Sequence, residues 1–106
     1  MEQISPQLAS ERLVAGWQPF VLDVRTSAES ADVRLTFTDM LCPHNALERI
    51  VSLLPEDREI LVYCARGQRS AYACQWLEAQ GFDGLYNLEG GLHEWAVQVG
   101  VSMSNE

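Results

Sequence analysis

The chain has 106 residues and a formal net charge of −8, and its seven basic residues are all arginine. A chain of this length is expected to form one domain, which we assign to residues 1–106. The acidic charge argues against nucleic acid or an anionic membrane as a partner. No apolar stretch approaches the roughly 18 residues that a membrane-spanning helix needs.

Targeting and cysteine content indicate an intracellular setting. The N-terminal residues show no basic patch followed by an apolar run, so we expect no secretory signal. The three cysteines, Cys42, Cys64 and Cys74, are odd in number and form no CxxC pair. With only two histidines beside them, neither a disulfide framework nor a structural zinc site is expected. Unpaired thiols are typical of a reducing compartment, and we expect a cytoplasmic protein.

Helices and strands are predicted in alternation along the chain. Ser5 followed by Pro6 is typical of a helix start, and Pro55 and Gly81 are typical of helix ends. In chain order, the predicted elements are a helix at 6–15, a strand at 20–24, a loop with a helical turn at 25–32, a strand at 34–38, a helix within 43–54, a strand at 59–64, a helix at 70–80, a strand at 84–88 and a helix at 90–100. The tail that follows carries no signal.

This alternation predicts a small α/β domain, in which helices cover both faces of a mostly parallel central sheet. The nearly continuous apolar run at 59–64 is typical of a central parallel strand. Ligands of such sheets bind beyond the carboxyl ends of the strands. Cys64 lies at one of those ends.

The segment CARGQRS at 64–70 combines a cysteine, a glycine and two arginines just before a helix. The thiolate is the reactive form of cysteine, and a helix N-terminus and nearby cations lower the pKa of a thiol. Gly67 allows the loop to direct successive N–H groups at one centre, and Arg66 and Arg69 add positive charge. We therefore predict a cradle for a thiolate, a persulfide or an oxyanion at Cys64. The alternative is that Cys64 only packs in the core.

The spacing of the loop also bears on the reaction. Cysteine-dependent phosphatases commonly carry an arginine six positions after the cysteine, whereas here the arginine comes five positions later, at Arg69. The loop is one residue shorter and should suit a single sulfur atom better than a phosphoryl group.

Other reactive side chains are interpreted as structural. Cys74 lies in the middle of a predicted helix and is expected to be buried and inert. Cys42 lies in a loop-like segment and could be an exposed second thiol, but without a partner signature it is expected to be incidental. His93 is expected to be a surface or half-buried helix residue, and Trp95 a core aromatic residue.

Together these segments resemble the rhodanese family of single-domain sulfurtransferases. The resemblance rests on VLDVR at 21–25 with Glu29 four residues later, on VYCARGQRSAYACQWLEAQGF at 62–82, and on YNLEGGLHEW at 86–95. Family members usually carry a Gly-His-Ile-Pro-Gly-Ala stretch soon after the acidic residue. Here Val33 and Arg34 stand where Gly-His would be expected, so the path of residues 30–45 is left open.

The resemblance implies a two-step covalent transfer. Cys64 would attack a sulfur donor such as thiosulfate, hold the outer sulfur as a persulfide, and pass it to cyanide or a cellular thiol. The loop that would bind the persulfide and the anionic donor comprises Ala65, Arg66, Gly67, Gln68, Arg69 and Ser70. Within it, the resemblance implies that Arg69, ahead of Arg66, binds the anionic end of the donor. No metal and no organic cofactor are implied.

The family's Asp and Arg of the DVR strand match Asp23 and Arg25. These two residues would either shape the rim of the pocket or form a structural ion pair, for instance Arg25 with Glu29.

Three alternatives to a thiosulfate-dependent enzyme stay open. One is a protein-to-protein sulfur relay, another is a non-catalytic rhodanese-like interaction module, and the third is a cysteine phosphatase or arsenate reductase. The acidic surface would repel thiosulfate, but at about 0.15 M salt that field is screened beyond roughly 8 Å. The charge of the loop should therefore decide donor binding.

Overall fold

The computed structural model describes residues 1–100 and the backbone of residues 103 and 104. The strands are β1 (Glu2–Ile4), β2 (Phe20–Asp23), β3 (Arg34–Leu35), β4 (Met40–Leu41), β5 (Ile60–Tyr63), β6 (Leu85–Leu88) and β7 (Met103–Ser104). The helices are α1 (Pro6–Val14), α2 (Ser27–Asp32), α3 (Gln68–Ala79) and α4 (Gly91–Gln98), with two 3-10 helices at Leu47–Arg49 and Val51–Leu53. Within this described part, no helix has the length and apolar character that a bilayer crossing requires.

Five parallel strands form the central sheet, in the order β1-β6-β5-β2-β4. β5 lies in the middle and pairs in parallel with β6 on one side and with β2 on the other. Because the strands are parallel, their carboxyl ends lie along one edge of the sheet. Cys64 follows β5 at the centre of that edge.

Helices cover both faces of this sheet. Along β5, Ile60 and Val62 pack against α3 and the 3-10 segment, whereas Leu61 and Tyr63 pack on the opposite face against α1 and α4. All four residues are buried, which explains the continuous apolar run of this strand. The predicted α/β fold with a mostly parallel sheet is confirmed.

The predicted helix within 43–54 is wrong. The segment instead forms the two 3-10 helices, in which Ile50 N–H donates to the Leu47 carbonyl at 3.0 Å and Leu53 N–H donates to the Ile50 carbonyl at 2.8 Å. Apolar residues three positions apart lie on one face in both kinds of helix. Their spacing therefore predicts a helical segment without distinguishing its type.

Five short elements also differ from the prediction. Where we predicted a loop with a helical turn, α2 is a helix that begins with a capping box formed by Thr26 and Glu29. The predicted strand at 34–38 is shortened to β3, and the short strands β1 and β4 were not predicted. The tail contributes β7, which pairs with β3 in an antiparallel ribbon. Strands of two or three residues are too short to show a periodic pattern.

A buried polar network holds the segment whose path the sequence left open. Arg25 donates to both carboxylate oxygens of Asp23, at 2.9 and 2.8 Å, and to the Val33 carbonyl at 2.7 Å. The Tyr63 hydroxyl donates to Asp23 at 3.3 Å and accepts from Leu35 N–H at 3.3 Å. Asp23 and Arg25 are 0% and 3% exposed. The residues after α2 are therefore anchored to the carboxyl ends of β2 and β5.

We expect Arg25→Met to lower the free energy of unfolding by about 3 to 5 kcal/mol, because the Asp23 carboxylate would stay buried without its cation. Urea denaturation measures this loss. The matched control is the double variant Asp23→Asn with Arg25→Met, which removes the stranded charge and should lose less. If the single variant is as stable as the double variant, the unpaired carboxylate is not the cause of the loss.

Candidate active site

The thiol of Cys64 lies between the end of β5 and the start of α3. Gly67 is the N-cap residue of α3 and has a left-handed backbone conformation with a φ of 101°. A Cβ at this position would be strained and would lie 3.2 Å from the Gly90 nitrogen. In this conformation the Gly67 N–H donates to Cys64 Sγ at 3.0 Å, and the Ser70 N–H donates to the same sulfur at 3.3 Å.

The Cys64 sulfur takes the place of a capping side chain for α3. The side chain of an N-cap residue normally accepts the N–H of the second or third helical residue, but the N-cap residue here is Gly67, which has no side chain to do so. Ser70 is the third residue of α3, and its N–H donates to the Cys64 sulfur instead. The partial positive charge at the start of the helix is thus directed at a thiol.

These contacts hold the pKa of Cys64 below its ordinary value, although the residue is only 1% exposed. Burial alone raises this pKa, because it disfavours the charged thiolate. The Ser70 hydroxyl, 3.3 Å from Sγ, and the backbone N–H groups of Ser70, Gly67 and Arg66 lower it by more. Neutral hydrogen-bond donors therefore stabilise a thiolate within the core.

The two loop arginines are placed differently from one another. Arg69 donates through both of its terminal nitrogens to the Glu29 carboxylate, each at 2.8 Å. These hydrogen bonds are the main reason that the pKa of Glu29 is lowered to about 2. Arg66 is exposed and forms no ion pair with any residue that the structure describes. The sequence did not reveal the contact between Arg69 and Glu29, which are 40 residues apart.

The first turn of α4 binds the loop from the other side. Leu92 N–H donates to the Cys64 carbonyl at 2.9 Å, and His93 N–H donates to the Ala65 carbonyl at 3.0 Å. A Cβ at Gly91 would lie 2.5 Å from the Cys64 carbonyl oxygen. Only glycine allows this close approach, so Gly91, the second glycine of YNLEGG, lets α4 pack against the cysteine loop.

The interpretation of Asp23 and Arg25 as a pocket rim does not fit their burial. Both lie beside the loop at the end of β2, but they form the buried ion pair described above. The structural alternative is therefore the better description, with Asp23 rather than Glu29 as the charged partner of Arg25. Arg25 meets Glu29 only through the Glu29 backbone carbonyl, at 3.5 Å.

The remaining thiols and the last helix agree with the structural interpretation. Cys74 is 0% exposed, and burial raises its pKa to about 12. Cys42 is buried as well, and burial raises its pKa. His93 is exposed on α4, and Trp95 is buried in the core.

A shallow cleft of about 280 Å³ lies beside the start of α3 and is lined by His44, Asn45, Gln68, Arg69 and Tyr72. The rings of His44 and Tyr72 meet edge to face with their centroids 5.9 Å apart. The segment that lacks the Gly-His stretch therefore reaches the cysteine loop through His44. No pattern in the sequence predicted this contact.

Comparison with known proteins agrees with this geometry. A family model described as a rhodanese-like domain matches residues 5–98. The chain belongs to the rhodanese family. The resemblance predicted from the sequence is therefore confirmed.

Two similar proteins that match over most of their length are named as sulfurtransferases. A sulfurtransferase of Allochromatium vinosum is 33% identical over 96 residues, which cover 91% of this chain and 89% of that protein. A putative sulfurtransferase of Bacillus subtilis is 28% identical over 95 residues, which cover 90% of each protein. The solved structure of the rhodanese-like domain of an Anabaena protein matches with a TM-score of 0.88 at 29% identity, covering 100% of this chain and 80% of that one. These relatives support a transferase of the rhodanese family.

We expect Ser70→Ala to raise the pKa of the Cys64 thiol in this rhodanese, because the hydroxyl beside Sγ is lost while the amide of residue 70 remains. The pH dependence of iodoacetamide alkylation, followed on the peptide that contains Cys64, measures the change. Ser30→Ala removes another buried serine hydroxyl, from α2, and should leave the curve in place. Identical curves for Ser70→Ala and the unmodified protein would mean that the backbone amides alone lower the pKa.

We also expect Glu29 to make stability depend on pH. Its pKa is lowered from 4.5 to about 2 on folding, so its contribution is present above about pH 4.5 and is lost as the pH falls towards 2. Because Arg69 and Glu29 are 31% and 34% exposed, screening should limit this contribution to about 1 kcal/mol.

Urea denaturation at a series of pH values tests this expectation. Glu29→Gln should lose less stability across that interval than the unmodified protein does. Glu56→Gln, which changes an exposed carboxylate before β5, should keep the original dependence. If the two variants respond to pH alike, the ion pair with Arg69 does not contribute.

Proposed function

We propose that the protein is a sulfurtransferase that carries sulfane sulfur on Cys64. The observation that supports this proposal is the pair of N–H groups, from Gly67 and Ser70, that donate to Cys64 Sγ at 3.0 and 3.3 Å. Donors in this arrangement stabilise a thiolate before the reaction and an anionic persulfide after it. The sulfurtransferase relatives agree with this chemistry.

In the first step, the Cys64 thiolate attacks the outer sulfur of thiosulfate. An Sγ–S bond forms, the S–S bond of thiosulfate breaks, and sulfite leaves with the bonding electron pair. In the second step, cyanide or a thiolate attacks the terminal sulfur of the persulfide. Thiocyanate or the persulfide of the acceptor is released, and Cys64 returns as a thiolate.

The remaining loop residues are assigned to binding. The backbone of residues 65–70 would surround the transferred sulfur. Arg66 is exposed and has no carboxylate partner among the described residues, so we assign it to the sulfite end of the donor. Arg69 is held by Glu29, and its positive charge is partly offset. We therefore give Arg66 the larger share of donor binding, whereas the resemblance to the family implied Arg69.

A protein-to-protein sulfur relay is the second candidate. Tyr72 is 53% exposed and borders the cleft beside the loop together with His44. An exposed aromatic surface next to a reactive thiol favours a partner that brings its own side chain to the site. In this case the donor would be a cysteine persulfide of another protein, and thiosulfate would be incidental.

The proposal is tested by recording the intact mass of the reduced protein after incubation with thiosulfate. We expect a gain of one sulfur atom, which cyanide removes and which Cys64→Ser abolishes. Cys74→Ala is the matched control, because it removes a buried thiol outside the loop, and it should gain sulfur normally.

Other outcomes of this experiment favour the alternatives. A gain from a cysteine desulfurase but not from thiosulfate favours the relay. No gain from any donor contradicts a transferase and favours an interaction module. Release of phosphate from an aryl phosphate that depends on Cys64 favours a phosphatase.

A further inference from the structure

Asn87 is a polar residue inside the apolar strand β6 and has no role in the transfer described above. It is 2% exposed. Its side-chain amide nitrogen donates to the Gly67 carbonyl at 3.3 Å and to the Gln3 side-chain oxygen at 3.0 Å. Asn87 therefore connects β6 to the cysteine loop.

The Gly67 carbonyl fixes which way the Asn87 amide points. A backbone carbonyl can only accept a hydrogen bond, so the nitrogen of the amide must face it. The amide oxygen, Asn87 Oδ1, is the one buried side-chain polar atom among the described residues that lacks a hydrogen-bond partner. Leaving a buried acceptor unpaired destabilises a protein. Asn87 therefore contributes through its N–H groups, which are bonded, and not through its oxygen, which has no partner among the described residues.

Gly67 is the residue through which this donor affects the sulfur. Its carbonyl accepts both from Asn87 and from the Ala71 N–H, at 3.2 Å, which is the first hydrogen bond of α3. Its own N–H faces Cys64 Sγ. The Gly67 carbonyl and N–H belong to two neighbouring peptide planes that meet at the Gly67 Cα. A glycine does not restrain these planes by its own preference, so a hydrogen bond that holds the carbonyl removes part of the freedom of the residue whose N–H faces Sγ and which starts α3.

We propose that Asn87 is a positioning residue that holds the N–H groups of Gly67 and Ser70 on Cys64 Sγ. It completes a set of donors from β6 and α4, because Leu92 and His93 already bind the Cys64 and Ala65 carbonyls. Asn87 is the side-chain member of this set and can be changed without altering the backbone. Its importance for sulfur transfer rests on the proposed function, but its effect on the thiol does not.

The test is a titration of the Cys64 thiolate by its ultraviolet absorbance, with the Cys64→Ser variant as the blank. Asn87→Leu removes the hydrogen bonds to the Gly67 carbonyl and to Gln3 and keeps a side chain of similar shape. We expect the midpoint to move up by about one pH unit, which is a tenfold lower ratio of thiolate to thiol at a fixed pH.

Tyr86→Phe is the matched control. It changes the neighbouring residue of β6 and removes a 2.7 Å hydrogen bond to Glu59 that lies away from the loop. Both variants should lose stability in urea, but only Asn87→Leu should move the titration. Equal midpoints for Asn87→Leu and Tyr86→Phe would overturn the proposal, since Asn87 would then contribute to stability alone. If Asn87→Leu does not fold, Asn87→Ala, which cannot overfill the site, is judged by the same comparison.

This experiment separates the two proposals because it requires no sulfur donor. A moved midpoint in a protein that accepts no sulfur would support Asn87 as a positioning residue and contradict the transferase. Normal sulfur loading with an unmoved midpoint would support the transferase and contradict Asn87 as a positioning residue.

Discussion

The hydrogen bonds from backbone N–H groups to the Cys64 sulfur are the interaction on which the site depends. They compete with burial, because a residue that is 1% exposed would otherwise keep its proton more tightly. Backbone donors suit this position because they bring no countercharge that must itself be buried. The nearest full charge on α3, Arg69, is committed to Glu29 at the surface. The pKa of the thiol is thus lowered mainly by peptide N–H groups and one hydroxyl.

One strand end serves two different tasks. Tyr63 and Cys64 are adjacent in the chain, and their side chains point to opposite faces of the sheet. On one face, Tyr63 joins Asp23 and Arg25 in the network that anchors residues 33–38. On the other face, Cys64 meets the start of α3. The ion pair therefore has a structural place next to the residue that we propose as the nucleophile, and VLDVR can accompany the cysteine loop without touching its sulfur.

The sequence predicted the features that depend on local pattern. The apolar run before Cys64 indicated a central parallel strand, and the glycine and helix start after it indicated amides directed at one centre. Features that depend on contacts across the fold were not predictable. The partner of Arg69 is 40 residues away in the chain, and the sequence instead indicated Arg25 as the partner of Glu29. Asn87 did leave a signal, since a single amide in the run YNL is unusual for a buried strand, but only the fold shows that it faces Gly67.

The capping of α3 by sulfur has a consequence for the catalytic cycle that we propose. When the outer sulfur is added, the atom that caps the helix changes from a thiolate to one sulfur of a chain of two. Adding the sulfur therefore changes the hydrogen bonds at the first turn of α3. The melting temperature of the protein should then differ between the thiolate form and the persulfide form. A helix end of this kind would couple the stability of the whole domain to the presence of the transferred sulfur.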